Sequence, residues 1–436
     1  MLLPLDRISL PNTSMNILEQ FSQVEIDSSW AFVGATRKDT GYISHAYHSY
    51  PAKFIPQLAG RIIEQYSSVS DIVVDPFMGC GTTLVESKVR GRASVGTDIN
   101  PVATLISSAK INALPPLNIT EAFHALIRKF SSYDDKTPIL MQIHERLDFW
   151  YRPQEKHKLA FLYQYISAIQ DEQNRTFFLC AFSNILKSCS IWMQKSNKPT
   201  RDMKKIPTDP FVAFQRQVKA MLKGNYDYYE MLNKNNFLHV DTQAHCQDAR
   251  QSPAKENSVG LVVTSPPYVT SYEYADLHQL PALWFTYTND LAQFRKQFIG
   301  TAYHHKRDLV AHSAIADWTV DQLAQKHKKS ADEVANYFGE MYEVFTEMHR
   351  ILKIGGKIAV VIGNTALHKI EIHNAEVFME QLSALGMNLI TIIKREIPSK
   401  NLPSVRDEHT GRFAKVTDDN ITYAYPTEYI LVMEKK

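Results

Sequence analysis

The stretch that most restricts the fold is Val259-Gly260-Leu261-Val262-Val263 running into Thr264-Ser265-Pro266-Pro267-Tyr268. A short apolar run stopped by two prolines reads as a buried strand with an abrupt end, because neither proline can donate to a ladder and each fixes its own φ. A hydroxyl, carbonyls without local donors and an aromatic ring therefore meet at one strand terminus. Such a set suits a flat ring bearing an amine: Ser265 Oγ and the Pro266 carbonyl accept from the N–H bonds, and Tyr268 stacks on the ring. Taken alone, the same turn serves equally well as a plain strand end with a packing tyrosine.

A second stretch points the same way. Asp71-Ile72-Val73-Val74 predicts another buried strand, which leads into Asp75-Pro76-Phe77-Met78-Gly79-Cys80-Gly81-Thr82-Thr83 and a helix ending near Gly91. Glycines at 79 and 81 let backbone N–H groups approach a ligand at a helix start. The following strand, Ala93 to Thr97, delivers Asp98, 23 residues after Asp75. An acid at about that offset of 20 is where a ribose hydroxyl pair is usually held. The loop lacks the Gly-Lys-Ser/Thr of a phosphate loop and the third glycine of a dinucleotide fingerprint, which weakens NAD and favours a nucleoside ligand.

Together these stretches closely resemble the S-adenosylmethionine-dependent DNA amino-methyltransferases, which modify cytosine N4 or adenine N6. The resemblance covers about 45–110 and 236–395. It implies an α/β fold with a doubly wound, mostly parallel, seven-stranded Rossmann-like sheet, built from 45–110 and 236–436, and S-adenosylmethionine as cofactor. Ser265, Pro266, Pro267 and Tyr268 would form the catalytic turn. Asp75, Pro76, Phe77, Gly79, Gly81, Thr82, Thr83, Asp98 and Ile99 would hold the cofactor. In the resembled family a Pro-Ala-Lys-Phe-like segment before the first strand closes over the methionine end, which adds Tyr50, Pro51, Lys53 and Phe54; a helix from Gln57 to Tyr66 follows it. Asp248 and Ala249, ahead of the catalytic strand, take the place of the acid that meets the adenine amine. Serine before Pro-Pro-Tyr is more typical of the cytosine-N4 members. Two departures stand out: the cofactor motifs precede the catalytic turn, unlike the commonest order for Ser-Pro-Pro-Tyr enzymes, and Cys80 replaces the usual serine.

Between 111 and 235 no strand pattern is visible. Leu159, Leu162, Ile166 and Ile169 repeat at helical spacing, and a second apolar helix is expected over 176–193. This helical insertion is a candidate DNA-recognition domain. Residues 187–223 hold nine Lys or Arg against two acids, and Lys195, Lys198, Arg201, Lys204 and Lys205, set around Pro199 and Pro207, suit the phosphate backbone of double-stranded DNA. A formal net charge of +2 gives no bulk attraction to nucleic acid, so any such surface is local. A solvated helix face is the plain alternative.

The remaining expectations are coarser. Residues 1–44 read as an N-terminal arm, loosely held over Met1 to Ser14. Strand pattern resumes at Phe237 to Val240. Residues 300–330, with His304-His305-Lys306-Arg307 and Lys326-His327-Lys328-Lys329, read as a mobile polar excursion before a long helix, Ser330 to Leu352, and a strand, Lys357 to Ile362. Asn388 to Lys394 and Glu428 to Glu434 are expected as an antiparallel edge pair. The four cysteines form no CxxC, and His239, His245 and Cys246 match no zinc spacing, so neither disulfide nor metal is expected. The start of the chain has no basic lead, and Asn184 and Lys187 interrupt its most apolar segment; a cytoplasmic, nucleoid-associated protein with no membrane partner is the expectation.

The function implied is methylation of the N4 amine of a cytosine flipped out of duplex DNA, for restriction-modification or host defence, with a cognate restriction endonuclease as the companion to look for. Adenine-N6, RNA and protein amino-methylation share this chemistry. An NAD-dependent dehydrogenase would leave the Ser-Pro-Pro-Tyr turn idle, and a non-catalytic DNA-binding module would leave both motifs idle.

Overall fold

The computed structural model describes residues 10–51, 53–196, 198–269, 274–301, 308–397, 405–407, 417, 421–423 and 426–436. Seven of its strands form one sheet: β1 (Ile72–Asp75), β2 (Ala93–Asp98), β3 (Thr242–Cys246), β4 (Val259–Thr264), β5 (Leu352–Ile362), β8 (Met387–Glu396) and β11 (Thr427–Lys435), in the spatial order β3-β2-β1-β4-β5-β11-β8. β6 (Thr365–Leu367) pairs with β7 (Ile370–Ile372) in a small hairpin, and β9 (Val405–Asp407) pairs with β10 (Ile421–Tyr423). The first five strands of the main sheet run parallel. β11 runs antiparallel between β5 and β8, in register from Tyr429 opposite Ile362 to Glu434 opposite Lys357.

The central strands are buried on both faces, as a doubly covered parallel sheet requires. All six residues of β4 are buried. Helices α3 (Pro56–Tyr66), α4 (Thr82–Val89) and α5 (Pro101–Ile111) surround the first half, and α13 (Ala314–Ala324), α14 (Lys328–Ile351) and α15 (Asn374–Ala384) the second. The chain steps from β1 to β2 on one side and reaches β4 on the other. Strand order therefore reverses between β1 and β4, and a ligand cleft is expected outside their carboxyl ends.

Residues 111–235 are helical, with α6 (Pro116–Phe130), α7 (Pro153–Ser167), α8 (Glu172–Ile185) and α9 (Pro210–Lys234). Their apolar faces join those of α5 and of α11 (Gln279–Trp284) in one cluster, where Val102, Ile106, Phe178, Phe214 and Trp284 are all buried. The short helices α10 (Tyr274–Leu277) and α12 (Leu291–Arg295) flank α11, and α2 (Arg37–Thr40) caps itself through Thr36 and Asp39. Among the described residues no helix is long and apolar enough to cross a membrane.

Four expectations differ from the structure. Residues 10–23 are docked: α1 (Asn12–Gln23) buries Leu18 and Phe21, and Ser14 Oγ donates to Glu380 on α15. Phe237 to Val240 form a turn, and the strand begins at Thr242. Asn236, at φ 60°, reverses the chain after α9, and Phe237 N–H donates back to Leu232 at 2.8 Å, so this apolar pair closes a helix end. The helix over 176–193 stops at Ile185, where a Lys-Ser-Cys-Ser run supplies hydroxyls that bond backbone carbonyls. Within 300–330, α13 is packed through Ile315, Ala316, Trp318 and Leu323; His304 to Arg307 lie outside the described residues.

Candidate active site

β1 ends at Asp75, and Pro76 stops the strand. Gly79 (φ 48°) and Gly81 (φ 74°) then take left-handed conformations that swing the chain into α4 with no side-chain cap at its start. Asp75 ties this corner together. Its Oδ2 accepts from Thr83 Oγ1 at 2.7 Å, and its Oδ1 accepts from Phe77 N–H at 3.1 Å and from Thr264 Oγ1 at 2.8 Å. Thr264 immediately precedes Ser265, so one buried carboxylate joins the glycine loop to the Ser-Pro-Pro-Tyr turn. Burial pushes the Asp75 carboxyl up to about 6 against those three hydrogen bonds.

Asp98 closes the floor from β2. Its Oδ2 accepts from Gly79 N–H at 3.0 Å and its Oδ1 from Asn100 N–H at 2.9 Å. Burial raises its carboxyl to about 7; the two backbone donors oppose this, and the neighbouring Asp75 adds to it. Behind it, Asn100 Nδ2 donates to His278 Nδ1 at 2.7 Å, and burial holds the His278 imidazole neutral, down to about 3.

A cleft of about 1060 Å³, counting its open mouth, lies over these strand ends. It is lined by Tyr50, Lys53, Phe54, Asp75, Pro76, Phe77, Gly79, Thr82, Thr83, Asp98, Ile99, Asp248, Ala249, Ser265 and Pro267, all expected from sequence. Sequence reasoning missed Met78, Cys80, Asn100, Tyr274 and the segment from Gln297 to Thr301. Met78, Cys80 and Asn100 were legible as neighbours of the motifs. Gln297 to Thr301 sit in a loop after α12 with no chemical signature of their own; Gly300, at φ 76°, bends it across the cleft.

Four expected residues do not line the cleft: Pro51, Gly81, Pro266 and Tyr268. Gly81 faces Ser107 on α5, where a Cβ would come within 2.9 Å of the hydroxyl. Tyr268 is turned to the end of β5: its hydroxyl accepts from Gly363 N–H at 3.0 Å and donates to Glu428 at 3.4 Å. Glu428 in turn pairs with the buried Arg395, which donates from Nε to the Trp30 carbonyl at 2.7 Å. Tyr337 Oη donates to the Pro267 carbonyl at 2.8 Å and fixes the turn from below. Ser265 Oγ has no hydrogen-bond partner among the described residues. Asp248 reaches the cleft with its carboxylate held by Arg250, at 2.9 Å from Nε and 2.6 Å from Nη2.

Lys53 Nζ donates to the His45 carbonyl at 3.2 Å, and burial lowers its pKa. His45 in turn meets Glu86 at 2.7 Å, so the segment ahead of the first strand is clamped to α4.

On the insertion, Lys195, Lys198 and Lys204 are exposed, and exposed Arg201 stacks on Phe149 at 4.1 Å. Lys205 is different: its Nζ donates to the carbonyls of Lys187 at 2.8 Å and Trp192 at 2.7 Å, and burial lowers it to about 8. Lys205, expected from sequence as a phosphate contact, thus has its Nζ engaged in closing the loop. Lys205→Ala should lower the melting temperature of the protein and leave the salt dependence of DNA binding unchanged, as thermal melts and binding isotherms at several salt concentrations would record.

The donor set fits an adenosyl cofactor. A buried carboxylate at a strand end offers acceptors to ribose hydroxyls, Phe77, Ile99 and Ala249 offer apolar contact to a purine, and no phosphate-binding lysine is present in the loop. Among the described residues no cluster of histidine, cysteine and carboxylate groups could hold a metal ion.

Known proteins are similar to this chain. A family model described as DNA methylase, of the N6/N4 type, matches residues 3–108 and 259–436. The Type II methyltransferase M.MvaI of Kocuria varians is 26% identical over 422 residues, covering 91% of this chain and 93% of that protein. M.BsoBI of Geobacillus stearothermophilus, also a Type II methyltransferase, is 21% identical over 73% of this chain and 74% of its own. Among solved structures, a SAM-dependent methyltransferase from Methanosarcina mazei is similar over 86% of this chain and 96% of that one, at 9% identity and a TM-score of 0.29. The family match spans both halves of the sheet and breaks off only across the helical insertion and β3. This chain therefore belongs to the N6/N4 DNA methylase family, and its cofactor is S-adenosylmethionine.

Proposed function

We propose that this protein methylates the exocyclic N4 amine of cytosine in duplex DNA. The observation that carries this reading is Ser265: a small, neutral hydroxyl at the end of β4, opening on the cofactor cleft and free of other partners among the described residues, while Thr264 and Pro267 on either side are each pinned.

S-adenosylmethionine, when bound, supplies an already activated methyl group, so the protein contributes orientation and electrostatics. In this reading Asp98 accepts from the ribose hydroxyls, and Phe77, Ile99 and Ala249, which line the cleft beside it, pack the purine. Tyr50, Lys53 and Phe54 line the cleft from the segment ahead of β1. Ser265 Oγ, which opens on the cleft, serves in this reading as the acceptor for the target amine. That amine shares its lone pair with the ring. Acceptors that hold its N–H bonds in the reactive direction help to recover the pair and stabilise the positive charge that grows on nitrogen. A base stacked in a duplex cannot enter such a cleft, so the target cytosine flips out. Tyr274 and Phe298 line the cleft and supply aromatic surface for it, while Tyr268, expected from sequence as the stacking ring, holds the turn against β5 and β11.

The DNA phosphates have candidate contacts in Lys195, Lys198, Arg201 and Lys204 of the insertion. The likeness to Type II methyltransferases supports a modification role beside a restriction endonuclease. Adenine N6 presents similar N–H geometry and is the second reading; the neutral serine, in place of a charged or amide acceptor, favours cytosine. Duplex DNA methylated by the purified enzyme, digested to nucleosides and separated by mass spectrometry, should yield N4-methylcytidine as the deoxynucleoside. Finding only the N6-methyladenine product would overturn the choice of base, and methylation of RNA alone would overturn DNA as substrate.

A further inference from the structure

The end of α14 nearest the cleft carries a basic surface that the site does not use. α14 enters β5 directly at Ile351–Leu352, so it runs back along the sheet and its first residues lie at the end where the parallel strands finish. Tyr337 of α14 touches the catalytic turn, and Lys328 starts the helix nine residues earlier. At 1.5 Å per residue the helix start therefore projects ~14 Å beyond that turn.

The β6–β7 hairpin reaches the same place from the other side. Gly363 donates to Tyr268, and five residues later comes His368, a span of no more than ~18 Å for an extended chain. The hairpin tip is docked there: the His327 and His368 rings stack at 3.6 Å and 10°, and Ser330 Oγ meets His368 Nε2 at 3.1 Å. Both tip residues have positive φ, 53° at His368 and 66° at Lys369, in a turn that normally favours asparagine and glycine.

This convergence gathers Lys326, Lys328, Lys329 and Lys369, all exposed, with the two imidazoles. Facing acids are few. Glu333 meets Lys329 at 3.7 Å, Glu371 lies 3.9 Å from His373, and Asp332 follows in the first turns of α14. The residue before the helix, His327, makes no side-chain cap bond, which leaves first-turn N–H groups facing the same way as the lysines.

We propose that this surface is a second phosphate-backbone contact for duplex DNA, on the β5 flank of the cleft and separate from the helical insertion. The assignment rests on the duplex-DNA reading above. A flipped base stays tethered to its own phosphates, so the backbone has to pass close to the catalytic turn, and both α14 and the hairpin project past that turn. Fixed cations on a rigid platform suit phosphates more than base edges.

The test needs no recognition sequence, because phosphate contacts are sequence-independent. A fluorescein-labelled duplex of mixed sequence is titrated with the full-length wild-type protein and with the Lys326→Ala/Lys328→Ala/Lys369→Ala variant across a range of KCl concentrations. The slope of log affinity against log salt should become shallower by about 0.9 for each lost contact, roughly two to three in all. The corresponding triple Lys→Arg variant should keep the wild-type slope. S-adenosylmethionine affinity, read by calorimetry, should be unchanged in both, which shows an intact fold. An unchanged slope in the alanine variant overturns the assignment and leaves the surface to solvent or to an acidic protein partner. If wild-type protein neither binds nor methylates duplex DNA, the duplex-DNA reading fails and the surface assignment falls with it.

Discussion

Ser265→Ala should lower kcat by about a hundredfold or more, the scale set by removing one preorganised polar group from a reacting centre. Its effect on S-adenosylmethionine affinity should be small, because Ser265 is assigned to the acceptor amine and not to the donor. The fold should be unaffected: the hydroxyl makes no bond among the described residues, and the turn is held by Thr264 to Asp75 and by Tyr337 to Pro267. Loss of an interaction made only as the reaction proceeds lowers kcat and kcat/KM together. Single-turnover rates and calorimetric cofactor titrations separate the two effects. A variant with wild-type turnover would remove Ser265 from the chemistry.

Asp98→Asn should have two effects of opposite sign. Cofactor affinity should fall roughly tenfold to a hundredfold, the worth of hydrogen bonds to a charged acceptor. Stability without cofactor should rise, relative to wild type, towards alkaline pH. Burial lifts the Asp98 carboxyl to about 7, above its unfolded value near 3.8. Its neutral form is the one the fold favours, so its contribution is fully present below pH ~4 and is lost as pH rises towards ~7. Asparagine never charges and avoids that loss, but its amide nitrogen cannot accept the backbone N–H that one carboxylate oxygen takes in wild type, so the melting temperature of the variant relative to wild type should be higher at pH 8 than at pH 5. Wild-type affinity for S-adenosylmethionine should weaken as pH drops below about 7, while the variant should show a flat profile. Melting scans without cofactor and calorimetry across pH read both effects; a difference in melting temperature that stays the same from pH 5 to pH 8 would show that the buried charge is not destabilising.

The parts of this protein that sequence made legible are those where local chemistry dictates local shape. Prolines after Asp75 and Thr264 end strands wherever they stand, and glycines at 79 and 81 are required by the positive φ observed at both. Ten of the fifteen expected cleft residues lie in the stretches those signals and the Asp75–Asp98 spacing mark, while Tyr50, Lys53, Phe54, Asp248 and Ala249 were implied by the family resemblance. Long-range geometry was less accessible. Nothing in the local pattern of Gln297 to Thr301 announces a cleft wall, because its place depends on α10 to α12 folding back over the strand ends. Tyr268 shows a different limit: its position in the motif was plain, but the direction of its ring depends on Gly363 and Glu428, 95 and 160 residues away. Lys205 looked like one more cation in a basic run until its partners, the carbonyls of Lys187 and Trp192, came into view. Apolar residues at Phe237 and Leu238 suggested a strand; they close the end of α9, a use that depends on a neighbouring helix.

The order of strands in the sheet also bears on when the enzyme comes into being during translation. β5 and β8 are synthesised before β11, the strand that separates them, so until β11 emerges from the ribosome both carry open edges of the kind that invite wrong pairing. β11 also brings Glu428 to the Tyr268 hydroxyl and Lys435, whose Nζ bonds the carbonyls of His349 at 2.7 Å and Leu352 at 2.9 Å. A nascent chain can therefore have its cofactor loop in place, and its Ser-Pro-Pro-Tyr turn held by Asp75 and Tyr337, while the Glu428 contact that orients Tyr268 still waits on β11.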